Sequence, residues 1–276
     1  MKYYSGRTNL AATIFVPFAC GNNCSFCNTN ILYKDFTYTD EYLDNILHAI
    51  DVCNHADVIS EFVITGGEPL MNLSVFKQII DRTEKKVFIN TSLPNVDNLD
   101  ECIEYINSEH KIAGINISRH IKTIHTVTTA DIDVIDKIKK YIRINCIVND
   151  TMLNEDLIRY IYKYATEYRM INLRADYRTI TTDNLKSRDA ISQFLLNNFK
   201  FEYSSNCLVC NSEFFSDEDY VVVCYHRGLE HSCVITPDRT YVNDVIIDMY
   251  GNIYRDWDMI DDANFTENLF LNKITK

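Results

Sequence analysis

The sequence predicts an α/β fold, a partial (β/α)6 barrel followed by a smaller α+β extension. From Ala12 to Asp176, short β-branched runs alternate with segments of helical periodicity, which is the pattern of repeated βαβ units. After Asp176 that rhythm stops, and short strand candidates follow with few helical patterns between them. The division therefore falls at 1–176 and 177–276. A chain of 276 residues suits one domain or a domain with an addition, and buries roughly three quarters of its unfolded surface without disulfides.

The first strand candidate is Ala12–Phe18. A helix is predicted over Thr39–His55, where Leu43, Ile46, Leu47 and Ile50 recur at i, i+3, i+4, i+7. Glu61–Thr65 is the second strand, and Leu73–Arg82 a helix with Val75, Phe76, Ile79 and Ile80 on its inward face. Strands over Val87–Asn90, Ile112–Ser118, Tyr141–Val148 and Met170–Arg174 continue the series. Helices near Asp97–Asn107, Asp131–Lys140 and Asn154–Tyr168 separate them. Right-handed crossovers place functional loops at the strand C-termini. An open doubly wound sheet is the alternative architecture. In the extension, Thr179–Lys186 is polar and Asp189–Asn198 helical. Strands are expected at Tyr220–Cys224, Val242–Asp248 and Asn252–Arg255, with a turn at Tyr250–Asn252.

With 46% hydrophobic and 24% charged residues, the composition is that of an ordinary globular protein. No stretch approaches the roughly 20 apolar residues that span a bilayer. The start of the chain lacks the apolar core of a secretory signal, so a cytoplasmic location is expected and no membrane partner. A formal net charge of −12 disfavours long nucleic acid, whose binding relies on cationic neutralisation. Ten cysteines in such a chain point to metal or catalysis rather than disulfides. Cys53, Cys102 and Cys146 stand alone in apolar contexts and read as small core residues.

Cys20-Gly-Asn-Asn-Cys24-Ser-Phe-Cys27 directly follows the first strand. Gly21 and the two asparagines are turn formers, so the backbone can wrap a compact object. Thiolates are the ligands of iron–sulfur clusters, and three of them on a four-iron cubane leave one iron open. Two other readings stand beside this one: a structural zinc with a fourth ligand such as His55 or His120, and a Cys24–Cys27 redox pair that leaves Cys20 unexplained.

This C-x3-C-x2-C spacing, with Phe26 before the last cysteine, resembles the signature of the radical S-adenosylmethionine (radical SAM) superfamily. The second strand ends in Thr65-Gly66-Gly67-Glu68-Pro69-Leu70, which resembles the Gly-Gly-Glu-Pro motif of that family and of 7-carboxy-7-deazaguanine synthases within it. The resemblance implies a partial barrel that holds a [4Fe–4S] cluster on Cys20, Cys24 and Cys27 and binds SAM. Gly66, Gly67 and Glu68 would hold the methionine end, Glu68 as an anionic acceptor for its ammonium. Phe26 would lie near the adenine, and Ser118 and Asn145, on the fourth and fifth strands, would make weaker SAM contacts. Arg119-His120 at a strand end is a candidate anion contact.

Cys207-Leu-Val-Cys210 and Cys224 give C-x2-C-x13-C, with Cys233, His226 or His231 as a further ligand. That spacing is similar to the auxiliary-cluster motif of the molybdenum-cofactor GTP 3′,8-cyclase group. A second [4Fe–4S] cluster, a structural zinc and free thiols all remain open. The family's chemistry implies an enzyme that cleaves SAM reductively to a 5′-deoxyadenosyl radical, which abstracts hydrogen from a small-molecule, nucleotide or peptide substrate. An electron donor such as flavodoxin or ferredoxin would be the partner. The rival from another class is a non-catalytic iron–sulfur or zinc-binding sensor or scaffold. No substrate is assigned.

Overall fold

The computed structural model describes residues 2–6, 10–18, 20–22, 24, 26–27, 29, 33, 35–121, 132–176, 182–205, 211–218, 220–227 and 233–275. Its strands are β1 (Lys2–Ser5), β2 (Leu10–Val16), β3 (Ile59–Gly66), β4 (Lys86–Thr91), β5 (Ile112–Ser118), β6 (Tyr141–Val148) and β7 (Ile171–Ala175) in the first part. The second part adds β8 (Lys200–Ser204), β9 (Ser212–Asp217), β10 (Tyr220–His226), β11 (Cys233–Ile235), β12 (Arg239–Val242), β13 (Asp244–Ile247) and β14 (Ile253–Tyr254). The helices are α1 (Asp40–His55), α2 (Leu73–Arg82), α3 (Leu99–Ser108), α4 (Ile132–Ile135), α5 (Glu155–Tyr168), α6 (Thr182–Asn198) and α7 (Ala263–Phe270).

β2 to β7 pair in sequence order, all parallel, as the six expected strands of a partial barrel. Each of these seven helices contributes to one apolar core on one face of this sheet, through residues such as Ile46, Phe76, Ile103, Ile135, Leu157, Ile191 and Phe265. A doubly wound sheet needs helices on both faces, so the barrel-type arrangement is the one formed. The strand residues alternate accordingly. Ile14, Ile64, Ile89, Ile117, Ile144 and Leu173 enter the core, and their neighbours face the inside of the partial barrel.

Local sequence explains the helix starts. Thr39 accepts the Tyr42 amide, Asn72 that of Val75 and Asn154 that of Asp156, each filling a donor that the first turn leaves unpaired. Asp40 and Glu41, and likewise Glu155 and Asp156, sit where the helix dipole favours negative charge.

The extension does not stack as a separate layer. β10 pairs parallel with β7, and β13 pairs parallel with β2, so strands from after Asp176 lengthen the main sheet at both sides. Antiparallel β9 and β8 then edge one side and β14 the other, giving eleven strands in one open sheet. β1, β12 and β11 form a second, three-stranded sheet. The 176/177 position thus marks a change of strand direction and connection rather than a break in the sheet.

Several expectations shift. The helix expected over Asp131–Lys140 ends at Ile135, because the Asn107 side chain takes over backbone groups there, donating to the Lys137 carbonyl at 2.9 Å and accepting from the Lys139 amide at 2.7 Å. Val242–Asp248 is not one strand. β12 belongs to the small sheet and β13 to the large one, and the chain switches between them at buried Asn243. α6 begins seven residues before Asp189, within the segment read only as polar. α7, which no expectation covered, is capped by Asp262 and anchored by Phe265 against Tyr3. Among the described residues no helix is long and apolar enough to cross a membrane.

Candidate active site

Because the strands are parallel and adjacent, the segments after β2, β3, β4 and β5 emerge side by side at one edge of the sheet. The cysteine segment follows β2 there. Cys20, Cys24 and Cys27 are half-buried and in no disulfide, and the Cys27 amide donates to the Cys24 carbonyl at 3.1 Å. Desolvation pushes Cys20 and Cys24 up to about 11, and the nearness of the other thiols pushes in the same direction. These sulfurs therefore sit where ionised thiolates would repel one another unless a cation lies among them. No three His, Cys, Asp or Glu side chains among the described residues converge on a site for a single metal ion.

The loop is tied to the next strand ends. Asn22, only 6% exposed, donates its backbone amide to Cys20 Sγ at 3.4 Å and its side-chain amide to Ser92 Oγ at 3.1 Å. Ser92 in turn holds Glu68, through its amide at 2.7 Å and its hydroxyl at 2.6 Å, both onto Oε2. Oε1 accepts from Thr91 Oγ1 and, at 3.2 Å, from the Leu70 amide. Glu68 is 2% exposed, and burial raises its pKa while these four donors oppose the rise. Each carboxylate oxygen has two acceptor directions, so Glu68 is saturated within the chain. Its side chain also caps the short 3₁₀ turn Pro69–Met71.

Gly66 has a task within the sheet itself. Its φ is +105°, and a Cβ would lie 2.8 Å from Val16 N and 2.9 Å from Phe15 Cα. The end of β3 thus presses on the backbone of β2, which only glycine permits. Gly66→Ala is expected to destabilise the fold by about 3 kcal/mol or more, combining backbone strain with an unavoidable contact. A denaturation midpoint equal to that of the wild type would contradict this.

Phe26 packs edge-on against His120, ring centroids 4.7 Å apart, so the cysteine segment reaches across to the end of β5. His120 Nδ1 accepts the Ile147 amide at 3.1 Å. Ser118 and Asn145 are register partners on β5 and β6, both half-buried. Arg119 differs from its expected role. It is 6% exposed, and its guanidinium donates to the carbonyl of Ser118 at 3.0 Å and to that of Ser92, bracing the site from behind. His55 lies four residues before β3 begins, at the opposite edge of the sheet from Cys20, and so cannot supply the triad's fourth ligand.

Of the second cysteine group, Cys207 and Cys210 lie outside the described residues, as do His231 and the side chain of Cys233. Cys224 lies on the inner face of β10, 3% exposed, with its Sγ 3.6 Å from His226 Nε2. His226 Nδ1 meets Ser212 Oγ at 2.8 Å. Desolvation, reinforced by the charges of Arg174 and Arg143, pulls His226 down to about 3, which keeps its imidazole neutral. Sequence reasoning missed Asn22, Thr91 and Ser92. Two polar residues ending an apolar strand run were the available signal, but not what they would face.

A family profile described as the Radical SAM superfamily matches residues 14–181. Among solved structures, the chain is similar to a tagged form of anSMEcpe with bound AdoMet, at 20% identity and a TM-score of 0.51, covering 68% of this chain and 58% of that one. It is also similar to native anSMEcpe with bound AdoMet and Kp18Cys peptide, at 19% identity and a TM-score of 0.51, covering 68% and 59%. The chain thus spans less than two thirds of the length of these structures, and the likeness is one of fold. No curated protein matches the sequence.

Proposed function

The chain belongs to the radical SAM superfamily of enzymes, and from that premise we propose that Cys20, Cys24 and Cys27 hold a [4Fe–4S] cluster at which S-adenosylmethionine is cleaved reductively. One observation supports the reading: the segment after β2 that carries Cys20, Cys24 and Cys27 is joined through Asn22 and Ser92 to Glu68 at the end of β3. The donor set fits the group, since thiolates are what such clusters take, and burial together with a neighbouring thiol raises Cys20 and Cys24 in the absence of a cation. When bound, cluster and SAM supply the one-electron cleavage of a carbon–sulfur bond and the hydrogen-abstracting species that it releases.

The protein's own part is positioning. Gly66 and Gly67 shape the end of β3, and Glu68 orients the methionine end of SAM. To accept an ammonium, Glu68 Oε2 exchanges one donor. The Ser92 hydroxyl is the one that can turn away, because the backbone amides are fixed. Phe26, Ser118 and Asn145 line the adenosine side. The half-burial of Cys20, Cys24 and Cys27 limits water at the reacting atoms. Residues 1–176 carry this machinery, and 177–276 act as a cap on the same sheet. The substrate is a small molecule, a nucleotide or a peptide, the last kept in view by the peptide-bound neighbour. A flavodoxin or ferredoxin serves as electron donor in the cytoplasm. Anaerobic, iron-loaded protein treated with dithionite and SAM is expected to form 5′-deoxyadenosine, and none at all would refute the assignment.

Cys207, Cys210 and Cys224, with Cys233, are proposed to hold a second metal group, an auxiliary [4Fe–4S] cluster or a zinc. The support is their spacing and the placement of Cys224 beside His226 on the inner face. In a variant lacking the N-terminal triad, retention of about four irons per chain is expected if the group is a cluster. One tightly bound zinc and no iron would identify a zinc-stabilised cap instead.

A further inference from the structure

The inner face of the sheet carries a polar patch that the proposed SAM contacts leave largely unused. Asn145 and Ile147 of β6 stand in register with Asn172 and Arg174 of β7, and those with Cys224 and His226 of β10. All face away from the helices, because Ile144, Cys146, Ile171, Leu173, Val223 and Tyr225 between them fill the core. Arg143 shares this face, two residues before Asn145.

Two donors on the patch lack acceptors among the described residues. Asn172 is 5% exposed, yet its Nδ2 has no hydrogen-bond partner among the described residues, and the Nε of Arg174 is buried in the same condition. Buried donors are rarely left unpaired, and each exception asks for an explanation. Neither Arg143 nor Arg174 pairs with a carboxylate among the described residues, although the chain has 39 acidic residues against 27 basic ones. The guanidinium of Arg143 instead lies over the rings of Phe88 and Tyr141, at 5.9 and 5.2 Å, a packing that holds its plane without neutralising its charge.

We propose that this patch binds an oxyanion of the substrate, a carboxylate or a phosphate, through Arg143, Arg174 and Asn172. The inference rests on the radical SAM reading and names the class of substrate that the same site takes, an acidic one. The planar fork of a guanidinium matches both oxyanions in bidentate fashion, and an orphan amide N–H supplies a further donor. Arg174 stands one residue before the end of β7, so an anion held there leaves the remainder of the substrate at the strand C-termini, the edge of the sheet from which the segments bearing Cys20 and Glu68 also emerge.

The test is titration of the full-length, anaerobically reconstituted protein, saturated with SAM, with inorganic phosphate and separately with acetate. Wild type is expected to bind at least one of them, and the stronger of the two identifies the oxyanion. Arg174→Gln is expected to weaken that binding at least tenfold. Arg174→Lys keeps the charge and retains part of the affinity, which separates lost recognition from a folding defect. Failure of wild type to bind either anion overturns the proposal, as does unchanged affinity in Arg174→Gln. Binding seen only without SAM also overturns it, since the arginines would then hold the SAM carboxylate. Formation of 5′-deoxyadenosine by wild type is measured alongside. Its absence would remove the radical SAM reading while leaving the anion titration to stand by itself.

Discussion

Replacing Cys20, Cys24 and Cys27 together by alanine is expected to reduce 5′-deoxyadenosine formation to the level of the reagent blank and to remove the iron of this site. The three thiols are the only cysteines on the segment after β2, and Asn22 fixes that segment against Ser92, so no neighbouring sulfur can stand in for them. The fold should survive the change. All three are half-buried and lie outside the apolar core, so the stability cost stays within about 1 kcal/mol. Circular dichroism melts alongside iron and sulfide analysis check both halves. A triple variant that still cleaved SAM after reconstitution would refute the ligand assignment outright.

Glu68→Gln is expected to lower SAM affinity at least tenfold and, unlike the cysteine changes, to destabilise the fold. The first effect follows from removing the charge that receives the ammonium. The second follows from the donors around the carboxylate. A glutamine amide placed at Oε1 faces the Leu70 N–H, and placed at Oε2 faces the Ser92 N–H. Either orientation opposes two donors, and the backbone one cannot rotate. A buried unpaired group of this kind costs about 1–3 kcal/mol. Iron content should remain near that of wild type, because Glu68 touches the cysteine segment only through Ser92 and Asn22. Unchanged SAM binding, measured by equilibrium titration, would leave Glu68 a purely structural hub.

Much of the fold was legible in the residues. The first strand, expected at Ala12–Phe18, forms two residues earlier at Leu10–Val16, and all seven of its residues are buried because a parallel strand is covered on both faces. Ile112–Ser118 and Tyr141–Val148 have the expected bounds, since β-branched alternation stops where polar turn residues begin. The split of Val242–Asp248 between two sheets was not legible. Apolar character continues through it, and which sheet a strand joins depends on partners far away in sequence. The joining of β10 and β13 to opposite sides of the main sheet was hidden for the same reason.

The sequence by itself determined the family, the candidate ligand set and the alternation of strands and helices from Ala12 to Asp176, because all three depend on short spacings and local periodicity. Cys20, Cys24 and Cys27 lie within eight residues, and Glu68 follows its two glycines directly. Only the tertiary structure decided what surrounds them. It assigned Gly66 to the backbone of β2, Arg119 to the carbonyls of Ser92 and Ser118, and the four donors to Glu68. It also left Asn172 Nδ2 and Arg174 Nε on the inner face without acceptors among the described residues. Hydrogen-bond saturation and charge pairing are sums over neighbours brought together by folding, and no local pattern in a chain encodes them.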